Sequence, residues 1–280
     1  MRRFPLLHLT LFVLTFFSTL VAGAVFQKGI NILREPLRII EGLPFAMTLM
    51  GILLSHELSH FFASKRHHTR ATLPYFIPAP ITLIGTFGAF IKMKSPIVTR
   101  KALIDIGVSG PIAGFLLSLV ASVVGLTYST VVPLTKAREG VLSLGDSLLF
   151  NFLSYLVVGA VPHTHEILLH PVAFAGWIGF FVTSLNLIPV GQLDGGHVAY
   201  AFLKERHRVV SVVLVGTLIL FGLFFWEGWA LWGVLMVVLG IKHPPVIYWE
   251  VPLDGRRRLL GLLAFIILLI TFIPSPFKIL

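Results

Sequence analysis

The chain has 280 residues, of which 56% are hydrophobic and 12% charged, with a mean hydropathy of +0.92. A soluble domain carries roughly 25% charged residues, so soluble and disordered classes are excluded and a polytopic membrane protein remains. The net charge of +10 falls in clusters between apolar runs, the pattern of basic loops that set membrane orientation and meet anionic headgroups, and no basic, aromatic-interleaved module suggests nucleic acid. Cysteine is absent, which removes disulfides, thiolate ligands and thiol catalysis.

Spanning helices need about 17–25 apolar residues. Residues 5–26, 43–64, 105–128, 171–190 and 209–226 meet that pattern, with a short run at 229–241 and a last one at 259–273. The first run is too long for the apolar part of a signal peptide and reads as a retained anchor. Alternating sides from a cytoplasmic N-terminus puts 16 of the 22 Lys and Arg residues on the cytoplasmic side, Arg2, Arg3, Lys65, Arg66 and Arg256–Arg258 among them, which supports this orientation. The other six include Lys136 and Arg138. The expected fold is therefore an all-α polytopic membrane protein of six or seven transmembrane helices.

Two stretches are not expected to span. Residues 71–94 hold Pro74, Pro78 and Pro80, then a β-branched and aromatic run over 81–91 with Gly85 and Gly88. Three prolines in seven residues oppose a regular helix and predict a short β-hairpin or re-entrant loop at the membrane surface. Residues 129–170 face the opposite side, and their apolar run at 148–161 is too short to cross.

The second run contains Ser55-His56-Glu57-Leu58-Ser59-His60. His56 and His60 lie one helical turn apart on one face, where two imidazoles supply two positions of a tetrahedral zinc ion. Glu57 beside them suits a general base acting on water. Ionisable groups inside a span cost about 2.5–3.5 kcal/mol each and mark function. Lys65 lies nine positions after His56, which places the site at His56 about 13 Å from the helix end. A third ligand is best supplied by Asp194, in the Pro- and Gly-broken stretch Asn186-Leu187-Ile188-Pro189-Val190-Gly191-Gln192-Leu193-Asp194-Gly195-Gly196. A helix cap or turn residue is the competing reading of that aspartate.

Together the two motifs resemble the site-2 protease family of intramembrane zinc metalloproteases, which pairs His-Glu-x-x-His on one span with Asn-x-x-Pro-x-x-x-Leu-Asp-Gly on a later one. The runs Gly85-Thr86-Phe87-Gly88-Ala89-Phe90 and Arg100-Lys101-Ala102-Leu103-Ile104-Asp105 also look like it, toward the branch that includes plastid relatives. The resemblance implies one zinc ion held by His56, His60 and Asp194, with Glu57 as base and Asn186 orienting the substrate backbone or oxyanion. No PDZ or cystathionine-β-synthase-type module is expected. The implied domains are an N-terminal anchor and loop (1–42), the catalytic core (43–205) and C-terminal helices (206–280).

The expected substrates are transmembrane segments of other proteins, cut in the lipid bilayer after local unwinding, with Gly85, Thr86, Phe87 and Gly88 offering a strand to the unwound stretch. The expected membrane is a prokaryotic plasma membrane, since no transit peptide precedes the first run. Ion transport and an inactive binding homologue are the competing classes, the second opposed by the intact Glu57. Of the remaining polar residues, His163, His165 and His170 cluster outside and read as solvated loop histidines, with a second metal site the competing reading, and Gly110 and Gly114 read as helix-packing positions. His197 reads first as a plain helix-start residue, with a partner behind the ligands as the alternative, and Asp105 is expected to pair with Arg100 and Lys101 at a helix start.

Overall fold

A computed structural model describes residues 5–133 and 142–279. Arg2, Arg3, Lys136 and Arg138, used in the charge count, lie outside the described residues. The first helix, α1 (Leu6–Ala22), runs on through a π-helical turn (Gly23–Gln27), and a 3-10 turn (Pro36–Gly42) leads into α2 (Leu43–Arg66). Strands β1 (Tyr75–Pro78) and β2 (Thr86–Phe90) precede α3 (Arg100–Thr127). Then follow β3 (Thr130–Pro133), β4 (Leu142–Leu144), α4 (Leu148–Val158), β5 (His165–Leu168) and α5 (Pro171–Leu187). The chain closes with α6 (Asp194–Leu203), α7 (His207–Phe224), α8 (Gly228–Leu239), α9 (Gly255–Thr271) and β6 (Phe277–Ile279).

Four helical stretches are long and apolar enough to cross a membrane: Leu6–Phe26, Pro36–Arg66, Arg100–Thr127 and Asp194–Phe224. The apolar helices α4, α5 and α8 have 10–17 residues, so length alone does not give six or seven spans. The helical membrane architecture is as expected, and the finer count is not set by these lengths.

The central helix is α3, which packs most extensively on α5 and α2 and then on α6 and α9. Small residues make the α3–α5 seam. A methyl group at Gly125 would lie 2.1 Å from Ala173 N, and one at Gly176 would lie 2.4 Å from Ser122 Oγ. In apolar surroundings such close backbone approach replaces the hydrophobic drive that water would supply. Thr99 caps α3 by accepting from Ala102 N–H, 3.2 Å away. Around this seam Phe45, Phe174, Trp177 and Phe180 form the largest buried cluster.

The predicted hairpin is present. Strands β1 and β2 pair antiparallel, Tyr75 opposite Phe90 and Phe76 opposite Ala89, with an irregularity before Pro78 meets Thr86. The strand covers only part of the 81–91 run, because Thr82 N–H donates to Ala79 O and Gly85 N–H to Thr82 O, closing a turn instead. The hairpin is mounted on α1: His8 Nδ1–H donates to Pro74 O at 3.1 Å and Ser18 Oγ–H to Gly85 O at 2.6 Å. Two further two-stranded sheets, β3–β5 and β4–β6, were not expected, and three or four residues of alternation are too few to signal a strand.

Asp105 does not pair with Arg100 or Lys101. Its Oδ2 accepts from His67 Nε2–H at 2.7 Å and from Arg257 Nη2–H at 2.5 Å, tying α2 and α9 to α3. Arg100 is engaged elsewhere, donating from Nε to Ala201 O at 2.8 Å with its guanidinium 4.5 Å from the Trp249 ring centroid. Sequence proximity misled here because Lys101, although one turn before Asp105 on the same helix, yields to His67 of α2 and Arg257 of α9, which occupy the carboxylate.

The packing seam predicts a contrast between two glycines. Gly176→Val should lower stability by about 1–3 kcal/mol through overpacking. Gly216→Ala, which meets no atom within 4 Å on α7, should be neutral or stabilise by up to ~1 kcal/mol. Thermal unfolding in detergent reads both, and equal melting of wild type and Gly176→Val would contradict the seam.

Candidate metal centre

Helix α2 carries His56 and His60 one turn apart, both buried, with Glu57 between them only 6% exposed. Helix α5 ends at Leu187, and the chain turns through Pro189 and Gly191 (φ +54°) before α6 begins at Asp194. That break brings the aspartate back onto α2. His56 Nε2 and His60 Nε2 are 3.0 Å apart, and each lies 3.2 Å from Asp194 Oδ2. Zinc bonded at 2.0–2.1 Å in a tetrahedron separates its ligand atoms by about 3.3–3.4 Å, so the spacing suits it. Among the described residues this is the one group of three or more His, Cys, Asp or Glu side chains able to hold a metal.

The tautomer of His60 supports that reading. Its Nδ1 lies 2.8 Å from Ile106 O, and a carbonyl only accepts, so Nδ1 carries a proton and the neutral ring presents its lone pair at Nε2. A lone pair aimed at a carboxylate in a buried site calls for a shared cation, and this donor to a backbone carbonyl is the usual support of a metal-binding histidine. Two nitrogens and a carboxylate oxygen fit zinc as a donor set.

Helix α3 supplies the space. A methyl group at Gly110 would lie 2.1 Å from His60 Nε2, and one at Gly114 would lie 3.1 Å from His56 Nδ1. One at Gly107 would lie 3.0 Å from Asp194 O. Gly110 and Gly114 are one turn apart, as His60 and His56 are, so the two helices meet in register. The sequence offered these glycines as general packing positions, and the structure sets them against the site. A second link was not foreseen: the backbone of Ile91, just after β2, approaches the Glu57 carboxylate.

The other predicted residues are placed as follows. Asn186 lies one residue from the end of α5, half-buried, and its side chain makes no hydrogen bond among the described residues. Thr86 is buried and donates from Oγ1 to Ile77 O at 2.8 Å, whereas Phe87 is 72% exposed. Gly85 (φ +76°) is pressed against α1, where a methyl would lie 2.5 Å from Ser18 O, and Gly88 (φ +94°) faces open space. His165 meets Thr164, and His170 caps α5, so neither joins a metal group.

The model of peptidase family M50 matches residues 44–225, a stretch that holds His56, Glu57, His60 and Asp194. The chain belongs to peptidase family M50, the site-2 proteases. Among curated M50-type relatives, "Probable zinc metalloprotease EGY1, chloroplastic" of Arabidopsis thaliana is 36% identical over 241 residues, which covers 83% of this chain and 43% of the relative. "Probable zinc metalloprotease EGY2, chloroplastic" of the same plant is 27% identical over 250 residues, covering 85% of this chain and 42% of the relative. The EGY1 protein of Oryza sativa subsp. japonica is 36% identical over 166 residues, covering 56% of this chain and 27% of the relative. The chain thus spans less than half the length of these relatives. No solved structure matches it. The likeness agrees with the lean toward plastid relatives drawn from residues 85–90 and 100–105, and zinc is the metal that the family and the donor set share.

The α3 contact yields a test within this M50 site. Gly110→Ala should displace His60, because the added methyl has no room beside the imidazole. Zinc content after dialysis should fall from about one per chain to a small fraction, while Gly216→Ala keeps it. Full zinc retention in Gly110→Ala would show that His60 has another place to go.

Proposed function

We propose that the chain is an intramembrane zinc metallopeptidase that hydrolyses peptide bonds in transmembrane segments of other proteins. The observation that carries this is the buried triangle of His56, His60 and Asp194 with a carboxylate, Glu57, adjacent to it. In this reading His56 Nε2, His60 Nε2 and Asp194 Oδ2 hold zinc, which when bound supplies an acidified water and a Lewis acid for the scissile carbonyl. Glu57 takes a proton from the attacking water on its carboxylate and delivers it to the departing amine nitrogen. Its burial between α2 and the end of β2 keeps bulk water from competing for that proton. Asn186, with its amide unengaged, orients the substrate backbone.

A helical substrate hides its carbonyls in hydrogen bonds, and lipid supplies none in exchange. The β1–β2 hairpin offers a solution, because Thr86, Phe87 and Gly88 can bond an unwound segment as an added strand, while Gly85, its N–H given to Thr82 O and its carbonyl accepting from Ser18, holds the turn before them. The approach of the Ile91 backbone to Glu57 supports this, since it brings the end of the hairpin beside the base. The catalytic core is residues 43–205, preceded by the anchor of 1–42 and followed by the helices of 206–280. We assign six or seven spans, counting α5, α9 and, for the seventh, α8 beside the four long stretches. The charge distribution supports an N-terminus on the cytoplasmic face of the membrane, or on the stromal face of a plastid membrane of the kind the names of the relatives point to.

The test is cleavage of a tagged, glycine-containing transmembrane substrate by purified protein in detergent. Glu57→Gln should lose activity by at least ~10³-fold while keeping its zinc, and chelation should silence the wild type until zinc is restored. Equal cleavage by wild type and Glu57→Gln would remove the catalytic assignment. Gly88→Val should reduce cleavage about tenfold or more with zinc unchanged, and unaffected cleavage would end the added-strand reading.

A further inference from the structure

The loop 240–254, between α8 and α9, lies beyond the family-matched stretch 44–225. It nevertheless closes on the helix that begins with Asp194. His243 Nε2 lies 2.6 Å from His197 Nδ1, and His243 Nδ1 lies 2.6 Å from Pro244 O. A carbonyl only accepts, so His243 Nδ1 bears the proton. Burial, reinforced by His197, pushes His243 down to about 3, which keeps the ring neutral at physiological pH. Its Nε2 is then an acceptor, and His197 Nδ1–H donates to it. The same ring stacks on Tyr200 with centroids 4.2 Å apart.

Asp194, His197 and Tyr200 recur every three residues along α6, so His243 grips successive turns of the helix that carries the aspartate. That helix has only 10 residues and is closed by Lys204 at φ +54°. So short a helix is marginal alone, and its neighbours decide its position. The loop also presses on the turn that feeds Asp194: a methyl group at Gly191 would lie 2.4 Å from Gly240 O.

We infer that His243 is a positioning residue of the metal centre: by accepting from His197 Nδ1–H it fixes the first turns of α6 and holds Asp194 Oδ2 in reach of His56 and His60. This rests on the reading of those three residues as the zinc site. It makes the loop 240–254 part of the centre, although the family match does not reach it. Hydrogen bonds made directly to a metal ligand typically change metal affinity about 10–100-fold, and that range sets the scale for one that acts on the helix carrying the ligand.

Two near-isosteric variants of the full chain separate the hydrogen bond from simple packing. His243→Gln places an amide oxygen near the Nε2 position and keeps an acceptor for His197. His243→Asn reaches only as far as Nδ1 and loses it. Zinc dissociation constants from chelator competition, and the visible spectrum of the cobalt-loaded protein, are compared with wild type. His243→Asn should bind zinc about 10–100-fold more weakly with an altered cobalt spectrum, and His243→Gln should stay within about threefold of wild type with the native spectrum. Wild-type affinity in His243→Asn, or equal weakening in both variants, would overturn the inference. His60→Ala run in parallel keeps the two readings apart, since retained tight zinc there would instead mean that the metal site itself is misassigned.

Discussion

Two imidazole nitrogens and a carboxylate oxygen held 3.0–3.2 Å apart in a low-dielectric interior need a metal ion or shared protons among them, and that constraint organises this molecule. Meeting it takes two imidazoles on one helix and a carboxylate returned from a second. It also takes a third helix thin enough to lie against both. The glycines of α3 supply the last condition, with Gly107, Gly110 and Gly114 facing Asp194, His60 and His56 in turn. The same helix gives the Ile106 carbonyl that settles the His60 tautomer. Space and orientation thus come from one element that contributes no ligand.

Much of this was legible in the residues. The one-turn spacing of His56 and His60 is a property of any helix, and ionisable groups in an apolar run have few structural uses. Asp194 was legible because Pro189 and Gly191 break the helix just before it. What was not legible shares a cause: it depends on partners distant in sequence. Asp105 turned to Arg257, 152 residues away, rather than to its neighbours. His197 was noticed, but its partner His243 sits 46 residues on, in a loop with no motif. The β3–β5 and β4–β6 pairs are too short for alternation to register.

Span counting failed to settle for a different physical reason. Helices α5 and α8 are apolar but short, and α6 joins α7 through a 3-10 turn and the left-handed Lys204. A hydropathy run registers apolar length, not whether the helix inside it is continuous. Irregular backbone at depth is tolerated where protein buries it. Here the irregular stretch between α5 and α6 is the one that delivers the carboxylate.

The hydrogen bonds that mount the β1–β2 hairpin on α1 carry a consequence for dissecting the molecule. His8 and Ser18 both precede the family-matched stretch, just as His243 and Arg257 follow it. A fragment trimmed to residues 44–225 would retain every metal-binding side chain and lose the supports of the hairpin at one end and of α6 at the other. The boundary drawn by sequence likeness encloses the reactive groups, whereas the mechanical frame that aims them is distributed over nearly the whole described chain.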